Sequence, residues 1–313
     1  MMMNKLLYIY FKLPHDKTFG IVSKVINRLV AKIVKRVLDK TVPSYFLKTQ
    51  RQYPNGLNKE PRNKNVIVSF TSFPGRIQDV WIVVECLFRQ TLKADKIILW
   101  LSESQFKDVE IPILLQNQIE RGLEIRFVKG DLKSHKKYIY ALTEFKNDYI
   151  ITVDDDLYYD QKLIENLIQL KVKHPLSLPT NRAHKITFNK NNEVNLYSKW
   201  EHNYHKSTPS ILLVPTGGFG TLYEFHQLNE SFNNEKLITE LIPHADDLWL
   251  KIQTLLKNIK VVTNNQYNKD PLTIKSSQLE KLVTKNVIAG GNDVQLRKVL
   301  DYFQLNNLEK YKD

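Results

Sequence analysis

The stretch Tyr149 to Asp160 reads YIITVDDDLYYD: an apolar run of five residues, then Asp154, Asp155 and Asp156 in succession, then two tyrosines. YIITV has the length and the β-branched content of a buried strand. Three carboxylates packed at its end repel one another, so the placement calls for solvent or for a cation.

Short apolar runs that end in polar loops recur upstream. VIVSF (Val66 to Phe70) ends in TSFPGR, KIILWL (Lys96 to Leu101) in SESQ, and LEIRFV (Leu123 to Val128) in KGD. Between them, DVWIVVECLFRQ (Asp79 to Gln90), a segment through IPILLQNQIERG that stops at Gly122, and SHKKYIYALTEF (Ser134 to Phe145) read as helices. Strand, helix, strand, helix, strand, helix, strand predicts a doubly wound α/β sheet, parallel over this half. Ligands of such sheets bind beyond the carboxyl ends of the strands, where the three aspartates stand. After Asp160 the alternation fades into a helix (Gln161 to Lys173), irregular segments including KITFN, VNLYSKW and SILLVPTGGFG, a helix around ADDLWLKIQTLL, and a last helix after GGND (Gly290 to Asp293), which Asn292 and Asp293 would cap. No internal repeat is visible.

The formal charge of +13 is unevenly spread. Residues 1–64 hold 14 Lys and Arg against 3 acids, whereas the rest of the chain holds 32 against 30. A near-neutral body argues against a large nucleic-acid surface, and no nucleic-acid partner is expected. From Ile21 to Leu38 the pairs Ile21/Val22, Val25/Ile26, Leu29/Val30, Ile33/Val34 and Val37/Leu38 recur every four residues, with Lys24, Arg28, Lys32, Lys35, Arg36 and Lys40 on the other side. That is a basic amphipathic helix, suited to an anionic membrane surface or to docking on a partner. The chain therefore divides into a basic helical arm (1–50), a polar linker with two prolines (51–65), and a domain over 66–313. No apolar run approaches the roughly 20 residues that span a bilayer, and no signal-peptide pattern is seen. The single cysteine, Cys86, excludes an intramolecular disulfide and fits a reducing compartment. The expected location is cytoplasmic, peripheral on the inner face of the cell membrane.

Two motifs carry chemistry. Carboxylates at i and i+2 leaving a strand suit a hard divalent cation, Mg²⁺ or Mn²⁺, which keeps waters and substrate phosphates among its ligands. The alternative is a solvated acidic loop. In PHADDLWLK (Pro243 to Lys251), Asp246 and Asp247 open a helix, whose dipole they would favour whatever else they do. PTGGFG (Pro215 to Gly220) concentrates glycines where backbone must approach closely or turn sharply. Arg76 and either Lys136 or Lys137 lie near the same sheet edge and are candidates for phosphate, with Arg76 and Lys136 favoured.

In this order VIVSFTSFPGRI, KIILWLS, YIITVDDD, PTGGFG and HADDLWL resemble the GT-A-fold nucleotide-sugar glycosyltransferases, especially the family-two-like bacterial enzymes that build surface polysaccharides. The resemblance covers roughly Val66 to Leu300. It implies a GT-A-type doubly wound mixed sheet, with a nucleotide-binding half (66–160) and an acceptor-binding half (161–313). It implies a metal-dependent, inverting transfer of a sugar from a nucleoside diphosphate sugar, UDP- or dTDP-sugars favoured, to a hydroxyl of a glycan or lipid-linked acceptor in capsule, lipopolysaccharide or other surface glycan synthesis. By the same resemblance Asp156 coordinates Mn²⁺ or Mg²⁺, with Asp154 or Asp155 on the ribose or a metal-bound water. Thr71, Arg76, Asp131 and Lys136 serve the nucleotide, and Gly217, Gly218 and Phe219 the acceptor or sugar. His244, beside the acidic pair, is a candidate third metal ligand or acceptor contact, and Trp249 either offers its face to a sugar ring or is buried on the helix. The base falls on Asp247 or Asp246, where the family usually has Glu before Asp. The family's early acidic residue after the first strand is replaced here by TSFPGR.

Two other readings compete. A haloacid-dehalogenase-type phosphohydrolase also uses Asp-x-Asp after a strand, but wants Thr or Val where Tyr158 stands and places the motif on its first strand. A non-enzymatic membrane or nucleic-acid adaptor would rest on the basic arm alone.

Overall fold

The computed structural model describes residues 2–13, 21–264, 269–274, 291–305 and 307–311. Helices α1 (Met2–Lys12) and α2 (Ile21–Thr49) precede the sheet. The expected alternation follows: β1 (Val66–Thr71), α3 (Val80–Phe88), β2 (Lys96–Ser102), the short α4 (Glu103–Phe106) and α5 (Ile113–Gln116), β3 (Leu123–Val128), α6 (Lys136–Glu144) and β4 (Tyr149–Thr152). Then come α7 (Leu163–Lys173), β5 (Leu178–Thr180), β6 (Ala183–Lys185), β7 (Leu213–Pro215), β8 (Thr221–Tyr223), α8 (Glu235–Leu241), α9 (Asp246–Leu256), β9 (Val261–Thr263) and α10 (Gly291–Tyr302). Gly290, expected to open the last helix, lies outside the described residues.

The architecture is a mixed α/β sheet with helices on both faces. Its strand order is β3-β2-β1-β4-β8-β5-β9, with β6 and β7 forming a separate antiparallel pair. The first four strands are mutually parallel, β8 runs antiparallel to both β4 and β5, and β5 is parallel to β9. Strand side chains alternate between faces, and each face has its own core. Val66, Val68 and Phe70 of β1 pack with Leu38 and Phe46 of α2, with α3 and with α7. Ile67 packs on the opposite face with Tyr138 of α6, Trp249 of α9 and Val299 of α10. β1 lies between β2 and β4, so the order of the chain reverses there and the loops after β1 and β4 leave side by side.

Three local expectations change. The helix expected through Ile111–Gly122 is broken: α5 is four residues long, and a 3-10 turn at Ile119–Arg121 ends at Gly122 with φ +111°. Gln118, between them, turns its amide inward to Trp81 O at 2.9 Å. Residues 51–65 are pinned to the body, since Gly56 N donates to Arg121 O (3.1 Å), Asn58 N to Ala94 O (2.7 Å), and Arg62 pairs with Asp95 (3.1 Å).

The arm also departs from a simple amphipathic helix. The row that faces the body is Ser23, Asn27, Val34, Leu38, Val42 and Phe46, all buried, because about two and three helical turns before Val34, seven and eleven residues back, stand Asn27 and Ser23. Ile21, Val22, Val25, Ile26, Leu29 and Ile33 are left exposed. Arg89, after α3, fastens the helix: it donates to Thr49 Oγ1 (2.9 Å) and Phe46 O (3.2 Å), pairs with Glu85 (2.9 Å), and lies 4.2 Å from the Tyr53 ring centroid. Among the described residues no helix is long and apolar enough to cross a membrane.

Candidate active site

The loops after β1 and β4 meet first. Val153 N donates to Ser69 O at 3.2 Å, extending the parallel ladder to the edge of the aspartate triplet. Ser72 Oγ donates to Asp155 Oδ2, and Arg76 Nη1 lies 2.9 Å from Asp155 Oδ1 and 3.1 Å from Asp156 Oδ2. TSFPGR thus serves as a clamp on two of the three aspartates. Tyr159 fixes the third: its hydroxyl accepts from Asp154 N (2.8 Å) and donates to Asp154 O (3.1 Å). Burial pushes the Asp155 carboxyl up, with Arg76 and Ser72 opposing it.

Helix α6 brings in the second half of the site. Ser69 Oγ donates to Lys137 O, seating the helix over β1. The buried Lys137 ammonium forms ion pairs with Asp154 Oδ1 at 2.8 Å and with Asp246 Oδ2, in the first turn of α9, at 2.7 Å. Burial alone would lower the Lys137 pKa, but Asp154, Asp246 and Asp247 together hold it well above the usual range. The two aspartates of α9 do not cap their own helix, since the cap position is Ala245 and carries no side-chain bond. Asp246 is spent on Lys137, while both oxygens of Asp247 accept the Gly217 N–H at 3.0 Å each.

The glycine loop explains its composition at this point. A Cβ on Gly217 would stand 2.8 Å from Asp247 Oδ1 and 3.1 Å from Lys137 Nζ, and one on Gly218 3.2 Å from Asp154 Oδ2. With hydrogen at both positions the backbone enters between the two aspartate groups without moving either carboxylate.

These surroundings drive the α9 carboxyls apart. Burial and then the charge of Asp246 push the Asp247 carboxyl up to about 7. Burial also works against Asp246, but Lys137 and then His135 hold it below the usual carboxylate range.

Among the described residues no group of three or more His, Cys, Asp or Glu is arranged to hold a metal ion by itself. The donor set fits a divalent cation that arrives with phosphates, because such an ion needs one or two carboxylates and takes its remaining ligands from water and phosphate oxygens. Asp154 is the open carboxylate, its side chain 37% exposed against 13% for Asp156. One of its oxygens is on Lys137 and the other turns toward Gly218.

Other expected residues sit differently. Lys136 is buried and pairs with Asp131, which also accepts from Lys133 N and Gln105 Nε2 at 3.0 Å each. Its ammonium is used at the end of β3, and its neighbour Lys137 is the lysine among the aspartates. Arg76, expected at the nucleotide, holds Asp155 and Asp156. Thr71 donates to Trp100 O at 2.7 Å, tying β1 to β2. His244 Nε2 lies 3.1 Å from Lys133 Nζ, at the approach to α9.

Two expected sugar contacts are corrected. Trp249 is fully buried with its Nε1 donating to Phe232 O at 2.8 Å, so no ring face is offered. Phe219 is buried as well, edge-on to Phe11 of α1 with ring centroids 5.5 Å apart, and anchors the glycine loop instead. Ser72 and Tyr159 were missed, although both lie in motifs whose sequence stood out.

No family model matches the chain, and no curated protein is significantly similar to it. Among solved structures it is similar to the 4-diphosphocytidyl-2C-methyl-D-erythritol synthase of Anaerococcus prevotii, at 13% identity over 75% of this chain and 100% of that one, TM-score 0.42. It is also similar to residues 1–349 of Staphylococcus aureus TarS, at 14% identity over 64% of this chain and 58% of that one, TM-score 0.39. A third is the glucosyl-3-phosphoglycerate synthase of Mycobacterium tuberculosis in complex with Mn²⁺, UDP and phosphoglyceric acid, at 11% identity over 40% of this chain and 49% of that one, TM-score 0.29. This chain thus spans about half the length of the last two, and the likeness to all three is distant.

Proposed function

We propose that the protein is a GT-A-type glycosyltransferase that moves a sugar from a nucleoside diphosphate sugar to an acceptor hydroxyl with inversion. One observation carries this reading: Lys137 joins Asp154, at the end of a central strand, to Asp246, next to Asp247 at the start of α9, with Gly217 and Gly218 between them. That link through Lys137 supports one site for the aspartates suited to a metal and diphosphate and the aspartate suited to a base.

Asp154 and Asp156 would hold Mn²⁺ or Mg²⁺, which when bound neutralises charge on the departing diphosphate. Asp155, kept by Ser72 and Arg76, supports the loop that carries both. Asp247 is the base. A general base works best with a pKa near the operating pH, and of the α9 pair Asp247 is the one raised to about 7. It takes the acceptor proton as the acceptor oxygen bonds to the anomeric carbon and the bond from that carbon to the diphosphate oxygen breaks. The Gly217 N–H holds both Asp247 oxygens toward the loop, and Lys137 keeps Asp246 charged without competing for the proton.

Binding of a native-state ligand raises apparent stability, so a thermal-shift screen of UDP-, dTDP- and GDP-sugars with and without Mn²⁺ tests the reading. A Mn²⁺-dependent rise with a nucleotide sugar, lost in Asp154→Asn, supports it. Stabilisation by nucleoside triphosphates alone, with pyrophosphate release, would point to nucleotidyl transfer instead.

A further inference from the structure

At about 3.6 residues per turn, Ile21, Val22, Val25, Ile26, Leu29 and Ile33 share the outward side of α2. All six are exposed, from 46% at Ile26 to 80% at Ile21. Lys24, Arg28 and Lys32, also exposed, run along one edge of this row, and exposed Arg36 and Lys40 continue it beyond Ile33. The apolar row is about 18 Å long at 1.5 Å per residue, and a soluble surface gains nothing by leaving such a strip in water. Apolar side chains edged by cations match the acyl boundary and phosphates of an anionic lipid surface. An isologous pairing with a second copy would instead set like charges against one another.

The inward side of the same arm is bonded to the loops of the candidate site. Asp39 Oδ1 accepts from Tyr158 OH at 2.9 Å, within the aspartate loop, and Lys35 Nζ donates to Thr273 O. Thr273 bridges Leu157, and Ile274 N donates to Asp156 O at 2.8 Å. On α1, Phe11 packs against Phe219 of the glycine loop.

We propose that the outward face of α2 is a docking surface for an anionic phospholipid bilayer, and that docking sets the orientation of the candidate site because the inward face of the arm holds both of its loops. The docking does not depend on the chemistry proposed above, so either can fail alone.

Cys86 is buried, so one introduced cysteine can be labelled selectively. A polarity-sensitive fluorophore on Leu29→Cys should brighten several-fold with phosphatidylcholine vesicles containing about one third phosphatidylglycerol, and much less with phosphatidylcholine alone. The same label on Val172→Cys, an exposed position of α7, should not respond. A Val25→Glu/Ile33→Glu variant should keep the wild-type melting temperature and fail to co-sediment with the anionic vesicles. The proposal is overturned by silence at position 29, by an equal response at 172, by undiminished co-sedimentation of the double variant, or by brightening with protein concentration in the absence of vesicles, which would assign the face to a second copy.

Discussion

Gly217 and Asp247, 30 residues apart in sequence, meet through the Gly217 N–H, which lies 3.0 Å from each oxygen of the Asp247 carboxylate. The contact leaves no room for a side chain. Gly217→Ala would set a methyl 2.8 Å from Asp247 Oδ1 and displace the carboxylate from the acceptor's path. The expected result is a fall in kcat of at least about tenfold with little change in melting temperature, read in steady-state kinetics and a thermal melt.

The pH profile follows from the same carboxylate. As the proposed base, Asp247 would have to be ionised to accept a proton, and its carboxyl is raised to about 7, so kcat/KM should rise with pH through that region and level off above it. Lys137 opposes the rise, so Lys137→Met should move the limb to higher pH and Lys137→Arg should largely restore it. An unmoved limb in Lys137→Met would place the titrating group elsewhere.

Metal affinity should depend on the nucleotide. With no self-sufficient cluster among the described residues, Mn²⁺ should bind weakly alone and at least about tenfold more tightly with UDP present. Calorimetric titration with and without UDP checks this, and Asp154→Asn should remove the gain.

Lys251 bears on stability. It is buried in α9 beside a cavity of about 10 Å³ lined by Ile186, Trp200, Leu248 and Leu296, and its Nζ meets no hydrogen-bond partner among the described residues. Burial pushes the ammonium down to about 7 from 10.5. A depressed pKa in the folded state means that stability is lost as pH falls from 10.5 toward 7. Lys251→Met should flatten that slope and stabilise the protein at neutral pH by on the order of 3 kcal/mol, measured by urea denaturation at several pH values.

The arm is part of the fold. Phe46 is buried in the core beneath α3, and Phe46→Ala should cost about 3–5 kcal/mol. Deleting residues 1–50 should lower stability and weaken nucleotide binding together, since Asp39 and Phe11 brace the aspartate and glycine loops.

The first half was legible because β1 to β4 are long enough to show apolar runs and are separated by loops with turn chemistry. β5, β7, β8 and β9 are three residues each, too short to carry a period, and the antiparallel insertion of β8 between β4 and β5 left no trace in the sequence. Asp154 and Asp247 could be picked out as chemistry-bearing residues, and so could the pair Lys136 and Lys137, but not which of the two lysines stands between them. Lys136 and Lys137 are adjacent on a helix and differ by about 100° in direction, and only the packing of α6 on Ser69 decides which one reaches the aspartates. Trp249 misled because aromatic residues beside a candidate base suit a sugar ring and a core equally, and α9 turns this one into the core. In α2 the burial of Ser23 and Asn27 beside exposed Ile21 and Val25 runs against hydropathy, so the inward row could not be read from the wheel.

On the proposed function, Asp154 and Asp247 act in one site on a nucleotide sugar. Its most direct test is Mn²⁺-dependent release of nucleoside diphosphate from the sugar donor that stabilises the protein most, compared among the wild type, Asp154→Asn, Asp247→Asn and the double variant. The expected result is a loss of about 10²–10⁴-fold in Asp247→Asn, a comparable loss in Asp154→Asn, and a double variant little worse than either single one. Wild-type release in both single variants would contradict it.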